Sequence, residues 1–149
     1  MIQVEHMEWK QPEGFRRHWI LDEMDGELLF LPLPLGAAQG RAGEELYDLR
    51  DGGSLRKQRT LAMGDTVLAT LERKAAGTGG VLRYGEREYV WKPANPLETR
   101  WALHDIDGKG VFAFVLKPGL VKGARVEIQS VGTDNLGPLL LLCWYVTVL

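Results

Sequence analysis

The sequence predicts a mainly β protein in which an antiparallel barrel encloses a C-terminal helix. Three observations carry this prediction. Short apolar runs alternate with Gly-rich turns at intervals of about ten residues, a spacing typical of β-sandwiches and barrels. Residues 111–116, Val-Phe-Ala-Phe-Val-Leu, are apolar on both faces and therefore need cover on both sides. Residues 137–149 carry no charged side chain, which favours a buried helix surrounded by strands.

Turn signals divide the chain into strands. Asp25-Gly26 and Asp107-Gly108 predict tight hairpin turns, because glycine adopts positive φ without steric cost and aspartate tolerates it. The segment 44–50 also suits a short helix, since Arg41, Glu44 and Glu45 favour one. With that alternative open, the predicted strands are 15–22, 27–33, 44–49, 55–61, 66–73, 81–84, 88–92, 99–105, 111–117 and 124–131.

Length and composition predict one domain, residues 1–149. The chain has 149 residues and 45% of them are hydrophobic, enough for one sizeable core. Its 18 Lys and Arg against 20 Asp and Glu give a net charge of −2, which argues against a nucleic-acid partner. Cys143 is the single cysteine, so neither an internal disulfide nor a Cys-based zinc cage can form. The first residues lack signal-peptide order, and we expect a cytoplasmic protein.

An internal repeat relates two hairpins, near 15–33 and 97–117. With an offset of 82, the segment 19–30 aligns with 101–112, and Trp, Leu, Asp, Gly and Phe coincide. Shared aromatic residues on both sides of the Asp-Gly turn favour a two-fold duplication. Two hairpins with Asp-Gly turns also look alike without common origin, and this alternative stays open.

The C-terminal segment is predicted to be a buried helix over 138–149. Asp134 or Asn135 lies in its N-cap region and Pro138 in its first turn. As a membrane-spanning helix it would extend only about 18 Å, against a hydrocarbon core of roughly 30 Å. A central strand and a membrane anchor are the alternatives, and both are less favoured.

The duplicated Trp-x-Leu-x-x-x-Asp-Gly pattern, the series of strands and the terminal apolar helix resemble the tubby C-terminal-like superfamily. The nearest likeness is to its phospholipid scramblase and LURP-one-related branch, including small bacterial members, over residues 15–149. The resemblance implies a closed barrel of about twelve antiparallel strands around the C-terminal helix. The chain departs from the scramblases in having one cysteine and no acidic calcium-binding segment, so calcium-triggered lipid scrambling is not expected. No phosphoinositide-binding motif of the family matches residue by residue.

No catalytic or cofactor-binding constellation is predicted. Asp105 and Asp107 resemble the start of a calcium loop, but the twelfth position of that loop is Leu116, where a glutamate is required. Cys143 lies among leucines, and burial raises the pKa of a thiol, so we expect a packed core cysteine. A hydrolase that uses His104 with Asp105 or Asp107 is the least favoured function. We expect no enzyme activity, no metal and no cofactor.

The candidate anion-binding residues are Arg56, Lys57 and Arg59, the densest basic cluster of the chain. Near an acidic membrane each such residue contributes about 1 kcal/mol. The alternative is an ordinary solvated strand face, balanced by Glu44, Glu45, Asp48 and Asp51. Core packing is expected for Trp19, Trp101 and Trp144, and partial exposure for Trp9 and Trp91, which adjoin lysines.

Together these features predict a non-enzymatic binding module that acts through its surface. Its expected partner is anionic membrane lipid, with peripheral membrane localisation, or another protein. Because the helix fills the barrel, no interior ligand cavity is expected. A lipocalin-like carrier, with the terminal segment as a strand and an open barrel, is the alternative. The sequence does not determine the oligomeric state.

Overall fold

The chain winds strand by strand around a nearly closed antiparallel barrel and then enters it as a helix. The computed structural model describes residues 7–13, 16–52, 58–73, 79–118, 122–130 and 135–149. Within these ranges the strands are β1 (Met7–Trp9), β2 (His18–Leu21), β3 (Gly26–Phe30), β4 (Ala38–Ala42), β5 (Glu45–Asp51), β6 (Gln58–Met63), β7 (Thr66–Arg73), β8 (Gly80–Tyr84), β9 (Arg87–Pro93), β10 (Arg100–Asp105), β11 (Gly110–Leu116) and β12 (Ala124–Ile128). A short 3-10 helix, Asp22–Met24, joins β2 to β3, and α1 spans Leu136–Val148.

Each strand from β2 to β12 pairs with its neighbours in sequence, and β1 pairs with β12. The seam between β1 and β2 is closed by a bridge in which Lys10 and Ile20 exchange two backbone hydrogen bonds of 2.9 and 2.8 Å. This confirms the predicted barrel and its twelve strands. Up-and-down order leaves no long exposed strand edge within the described residues.

Two strands were not predicted, and both lack the usual signal. β1 is three residues long, and β4 reads Ala-Gln-Gly-Arg-Ala, with no large apolar side chain. The alternative of a helix over 44–50 is wrong, because these residues lie in or beside β5. Phe15 and residues 55–57, which the predictions placed in strands, lie outside the described residues.

Alternate residues of every strand face the interior. Most inward side chains of β1 to β3, β10 and β11 are buried, among them Trp9, Trp19, Leu28, Leu103 and Phe114. Helix α1 lies in the space they enclose, and its residues from Pro138 to Tyr145 are all buried. The predicted buried helix is therefore confirmed, with bounds two residues earlier at its start and one earlier at its end. The alternative of a terminal strand, and with it the open lipocalin-like barrel, is wrong.

The helix packs against β4 because that strand presents small side chains to it. A Cβ built on Gly40 would lie 3.0 Å from Leu49 Cδ1 and 3.1 Å from Leu141 Cδ1. One built on Gly137 would lie 2.8 Å from the Cβ of Ala42. A strand of small residues, which weakens the sequence signal for β4, is thus what lets the helix fit inside the barrel.

Trp144 is the central contact of the helix with the barrel wall. Its ring stacks on Trp9 at 5.6 Å and meets the rings of Trp19 and Phe114 edge to face at 6.1 and 5.7 Å. These partners belong to β1, β2 and β11, so one side chain links the helix to both sides of the seam. Such aromatic pairs add about 0.5–1.5 kcal/mol each beyond the burial of their area.

The expectation of partial exposure for Trp9 and Trp91 is wrong, because each is only 1% exposed. Strand alternation directs both rings inward, while Lys92 beside Trp91 faces solvent. Trp19 and Trp144 are buried as predicted, and Trp101 is partly buried at one end of the core.

Strand β11 is covered on both faces, as its sequence predicted. Ala113, on the outer face, is fully buried, and Val115 lies between its register partners Arg100 and Arg125. Both arginines hydrogen bond or pair with Glu127, and the bond from Arg100 is the main cause that lowers the pKa of the Glu127 carboxyl. Long charged side chains therefore form the outer cover of this strand.

Candidate binding site at the loop end of the barrel

The two ends of the barrel differ in how the strands are joined. At one end, here the turn end, five hairpins have connections of two to four residues: 22–25, 43–44, 64–65, 85–86 and 106–109. At the other, the loop end, the connections are six to eight residues long: 10–17, 31–37, 52–57, 74–79, 94–99 and 117–123. Helix α1 begins at the turn end and ends at the loop end. Long connections on a rigid barrel are where binding residues are commonly placed.

Charged residues separate between the two ends. Counting each connection and the two strand residues beside it, the described basic residues of the loop end are Lys10, Arg16, Arg17, Arg50, Arg59, Arg73, Lys92, Arg100, Lys117, Lys122 and Arg125. The acidic ones there are Glu8, Glu13, Asp51, Glu72 and Glu98. At the turn end the acidic residues are Asp22, Glu23, Asp25, Glu27, Glu44, Glu45, Asp65, Glu86, Glu88, Asp105 and Asp107, against Arg41, Arg83, Arg87 and Lys109. Although the net charge is near zero, the basic residues are concentrated at the loop end and the acidic residues at the turn end.

Three leucines project from the loop end into solvent. Leu33 and Leu35, in the β3–β4 connection, are 80% and 94% exposed, and Leu97, in the β9–β10 connection, is 84% exposed. The two connections are six strands apart in a barrel of twelve, so they lie on opposite sides of the loop end. Exposed apolar residues are therefore spread across the basic end.

A cavity of about 460 Å³ opens at the loop end, between the helix and the inner wall of the barrel. Its lining combines charged, aromatic and aliphatic side chains: Arg59, Leu71, Arg73, Gly79, Trp91, Glu98, Trp101, Leu116, Val146, Thr147 and Leu149. The expectation that the helix leaves no interior space does not hold here. The helix lies against β3 to β6, and its last turn leaves a gap on the side of β7 to β10.

Arg59 is the inward-facing cation of this cavity. In the β5–β6 register it lies opposite Asp51, and its Nε is 3.4 Å from Asp51 Oδ1. The Arg59 side chain is only 13% exposed, and its Nε and one terminal nitrogen are buried without a hydrogen-bond partner in the described residues. A buried guanidinium that keeps N–H donors without partners can bind an anionic group by donating hydrogen bonds to it.

The helix end beside the cavity is held by two polar contacts. Arg17 donates a hydrogen bond of 2.6 Å to the Val148 carbonyl, and its guanidinium lies 4.0 Å from the centre of the Phe30 ring. The Tyr145 hydroxyl donates to the Gly36 carbonyl. Burial, reinforced by the nearby Asp51 carboxylate, raises the pKa of Tyr145 to about 12. The partial negative charge of the helix C-terminus is thus met by Arg17.

The structure describes one of the three predicted anion-binding residues. Arg59 faces the interior of the loop end, whereas Arg56 and Lys57 lie outside the described residues. Sequence reasoning singled out Arg59 as part of a basic run. It did not place Trp91 and Trp101 beside Arg59, because their shared signal is only that each lies on the inward face near the loop end of its strand.

The other candidate chemistry stays in ordinary structural roles. Cys143 is fully buried, and burial raises the pKa of its thiol well above the usual value, as expected for a core cysteine. Asp105 Oδ1 accepts hydrogen bonds of 2.9 Å from the backbone N–H groups of Asp107 and Lys109, which builds the β10–β11 turn. In the ranges that the structure describes, no group of three or more His, Cys, Asp or Glu could hold a metal ion.

Within the same ranges, no helix is long and apolar enough to cross a bilayer. Comparison with known proteins identifies no relative: no family model, no curated protein and no solved structure matches the chain. The resemblance to the tubby C-terminal-like superfamily therefore stays a prediction.

Proposed function

We propose that this protein is a peripheral binding module whose loop end docks on anionic phospholipid membranes. The observation that carries the proposal is the separation of charge between the two ends of the barrel. Each basic residue near an acidic membrane surface contributes about 1 kcal/mol, and the loop end presents many of them on one side. The acidic turn end is repelled by the same surface, so the charge distribution also orients the molecule.

The exposed leucines support a membrane over other polyanions. Leu33, Leu35 and Leu97 would enter the boundary between headgroups and acyl chains when the basic residues contact the headgroups. Nucleic acid offers no comparable apolar layer. A protein partner with an acidic, apolar surface is the competing interpretation, and it becomes an outcome of the test.

The test is co-sedimentation with vesicles of neutral phosphatidylcholine or of phosphatidylcholine with phosphatidylserine, at low and at physiological salt. The loop-end variant Lys92→Glu/Lys122→Glu is compared with the turn-end variant Arg83→Glu/Lys109→Glu, which changes the net charge equally. Lys92 and Lys122 are exposed, so neither substitution disturbs the core. We expect the wild type to sediment only with anionic vesicles, and less at higher salt.

The proposal predicts that the loop-end variant loses most of this binding while the turn-end variant keeps it or binds more tightly. Equal losses in both variants would show that only net charge matters. No sedimentation of the wild type under any condition would exclude membrane docking and direct the search to protein partners.

A further inference from the structure

The geometry points to a small-molecule site inside the loop end: we propose that the cavity beside Arg59 binds a monoanionic carboxylate that has an apolar body. A volume of about 460 Å³ lies within the usual range for small-molecule sites, roughly 300–1,000 Å³. The site lies inside the barrel and needs no membrane, so this inference is independent of vesicle docking.

The anionic group of the ligand is assigned to Arg59 because this side chain lines the cavity, is largely buried and keeps a donor without a hydrogen-bond partner among the described residues. The Asp51 carboxylate approaches Nε from the neighbouring strand, and one terminal nitrogen of the guanidinium has no hydrogen-bond partner among the described residues. A planar fork of N–H donors matches the two oxygens of a carboxylate. Arg73 lies on the same inner face, at the end of β7, and forms no ion pair with another described residue.

The apolar body is assigned to the opposite wall. Trp91 and Trp101 stack at 5.6 Å, and together with Leu116 they make this wall aromatic and aliphatic. The indole N–H of Trp101 is already bonded to the Glu98 carbonyl at 3.0 Å, so the ring offers the cavity its apolar surface. Val146 on the last turn of the helix completes that surface.

The charges around the cavity favour one negative charge over two. Glu98 lines its rim, Asp51 lies behind Arg59, and the helix ends beside it with partial negative charge. A carboxylate satisfies Arg59 without strong repulsion from these groups. A phosphate dianion would be repelled by them and has no apolar body to fill the space between the helix and the tryptophans.

The test compares octanoate with octan-1-ol, which has the same chain without the charge, and with inorganic phosphate. Binding is measured by calorimetry below the micelle concentration, without vesicles. The indole N–H resonances of Trp91 and Trp101, assigned from single Trp→Phe variants, report where the ligand lies. Arg59→Met removes the buried cation, and Arg50→Met removes a cation from the outer face of the adjacent strand at the same end.

We expect octanoate to bind about tenfold or more tightly than octan-1-ol, since a charge-assisted hydrogen bond contributes about 1.5–3 kcal/mol. Arg59→Met should abolish this difference and Arg50→Met should preserve it. Arg73→Met, at a more exposed position, provides a second lining variant if Arg59→Met does not fold. Equal affinity for acid and alcohol, tighter binding of phosphate, or shifts confined to the other tryptophans would overturn the proposal.

Discussion

The turn end and the loop end of the barrel are built from the same strands, yet they use their polar groups differently. At the turn end the side chains bond locally: Asp105 accepts two backbone hydrogen bonds, and Arg41 pairs with Asp25 at 3.2 Å. At the loop end Arg59 keeps buried donors without partners among the described residues, and three leucines face solvent. Exposed apolar side chains occur at the turn end as well, among them Leu46, Val67 and Ile106. The difference between the two ends therefore lies in their charge and in the length of their connections.

The direction of the helix adds to this difference. Its C-terminus lies at the loop end, and the carbonyl groups there attract cations such as Arg17. The same end lacks the short hairpin turns that fix backbone and side chains together.

Trp144→Ala should destabilise the whole barrel, because this ring links the helix to β1, β2 and β11 between the two ends. Removing a large buried aromatic side chain costs about 3–5 kcal/mol in unfolding free energy. Urea denaturation followed by circular dichroism measures the loss. Trp101→Ala is the control, since that ring is only partly buried and its removal should cost clearly less. Similar losses in the two variants would contradict the central role of Trp144.

Tyr145 makes the unfolding free energy of the protein decrease at alkaline pH. Its folded pKa, about 12, is raised above the ordinary tyrosine value of 10.0, so the native state holds the proton more tightly than the unfolded chain. The stabilisation is complete below pH 10 and is lost as pH rises from 10 towards 12, at most about 1.4 kcal/mol per unit.

We therefore expect the unfolding free energy of the wild type to fall more steeply above pH 10 than that of Tyr145→Phe, measured by urea denaturation at several pH values. Below pH 10 the variant should be less stable by about 1 kcal/mol, because it loses the hydrogen bond to Gly36. Parallel pH curves for the two proteins would show that Tyr145 does not carry this dependence. Cys143, which both proteins retain, contributes equally to each curve.

Much of this architecture could be predicted from the sequence because the signals are local. Asp-Gly turns and alternating apolar residues located most strands, and the uncharged terminal segment indicated the buried helix. Strand β4 was not predicted because it lacks large apolar side chains. Ala38, Gly40 and Ala42 are small because the helix packs closely against this strand. The exposure of Trp9 and Trp91 was predicted wrongly because a neighbouring lysine does not indicate which face of the strand the tryptophan ring occupies.

The candidate site could be predicted only in part. Arg59 belongs to a visible basic run, but its inward orientation follows from its register with Asp51 and Leu71, which needs the sheet. The separation of charge between the ends is also invisible in a linear sequence, because up-and-down topology assigns alternate connections to opposite ends. A net charge of −2 therefore gave no indication of a basic surface.

Two variants with small effects on stability, one at each end of the barrel, distinguish the ends by their vesicle binding. Asp105→Ala removes an acceptor that serves two backbone N–H groups of a turn, and it should cost about 1 kcal/mol of stability without weakening vesicle binding. Leu35→Ser changes a side chain that is 94% exposed, so its stability should stay within about 0.5 kcal/mol of the wild type. That variant should nevertheless sediment less with anionic vesicles, because it loses an apolar group at the membrane contact. If Leu35→Ser binds vesicles as the wild type does while Asp105→Ala binds less, the docking surface lies at the turn end and the proposed orientation is wrong.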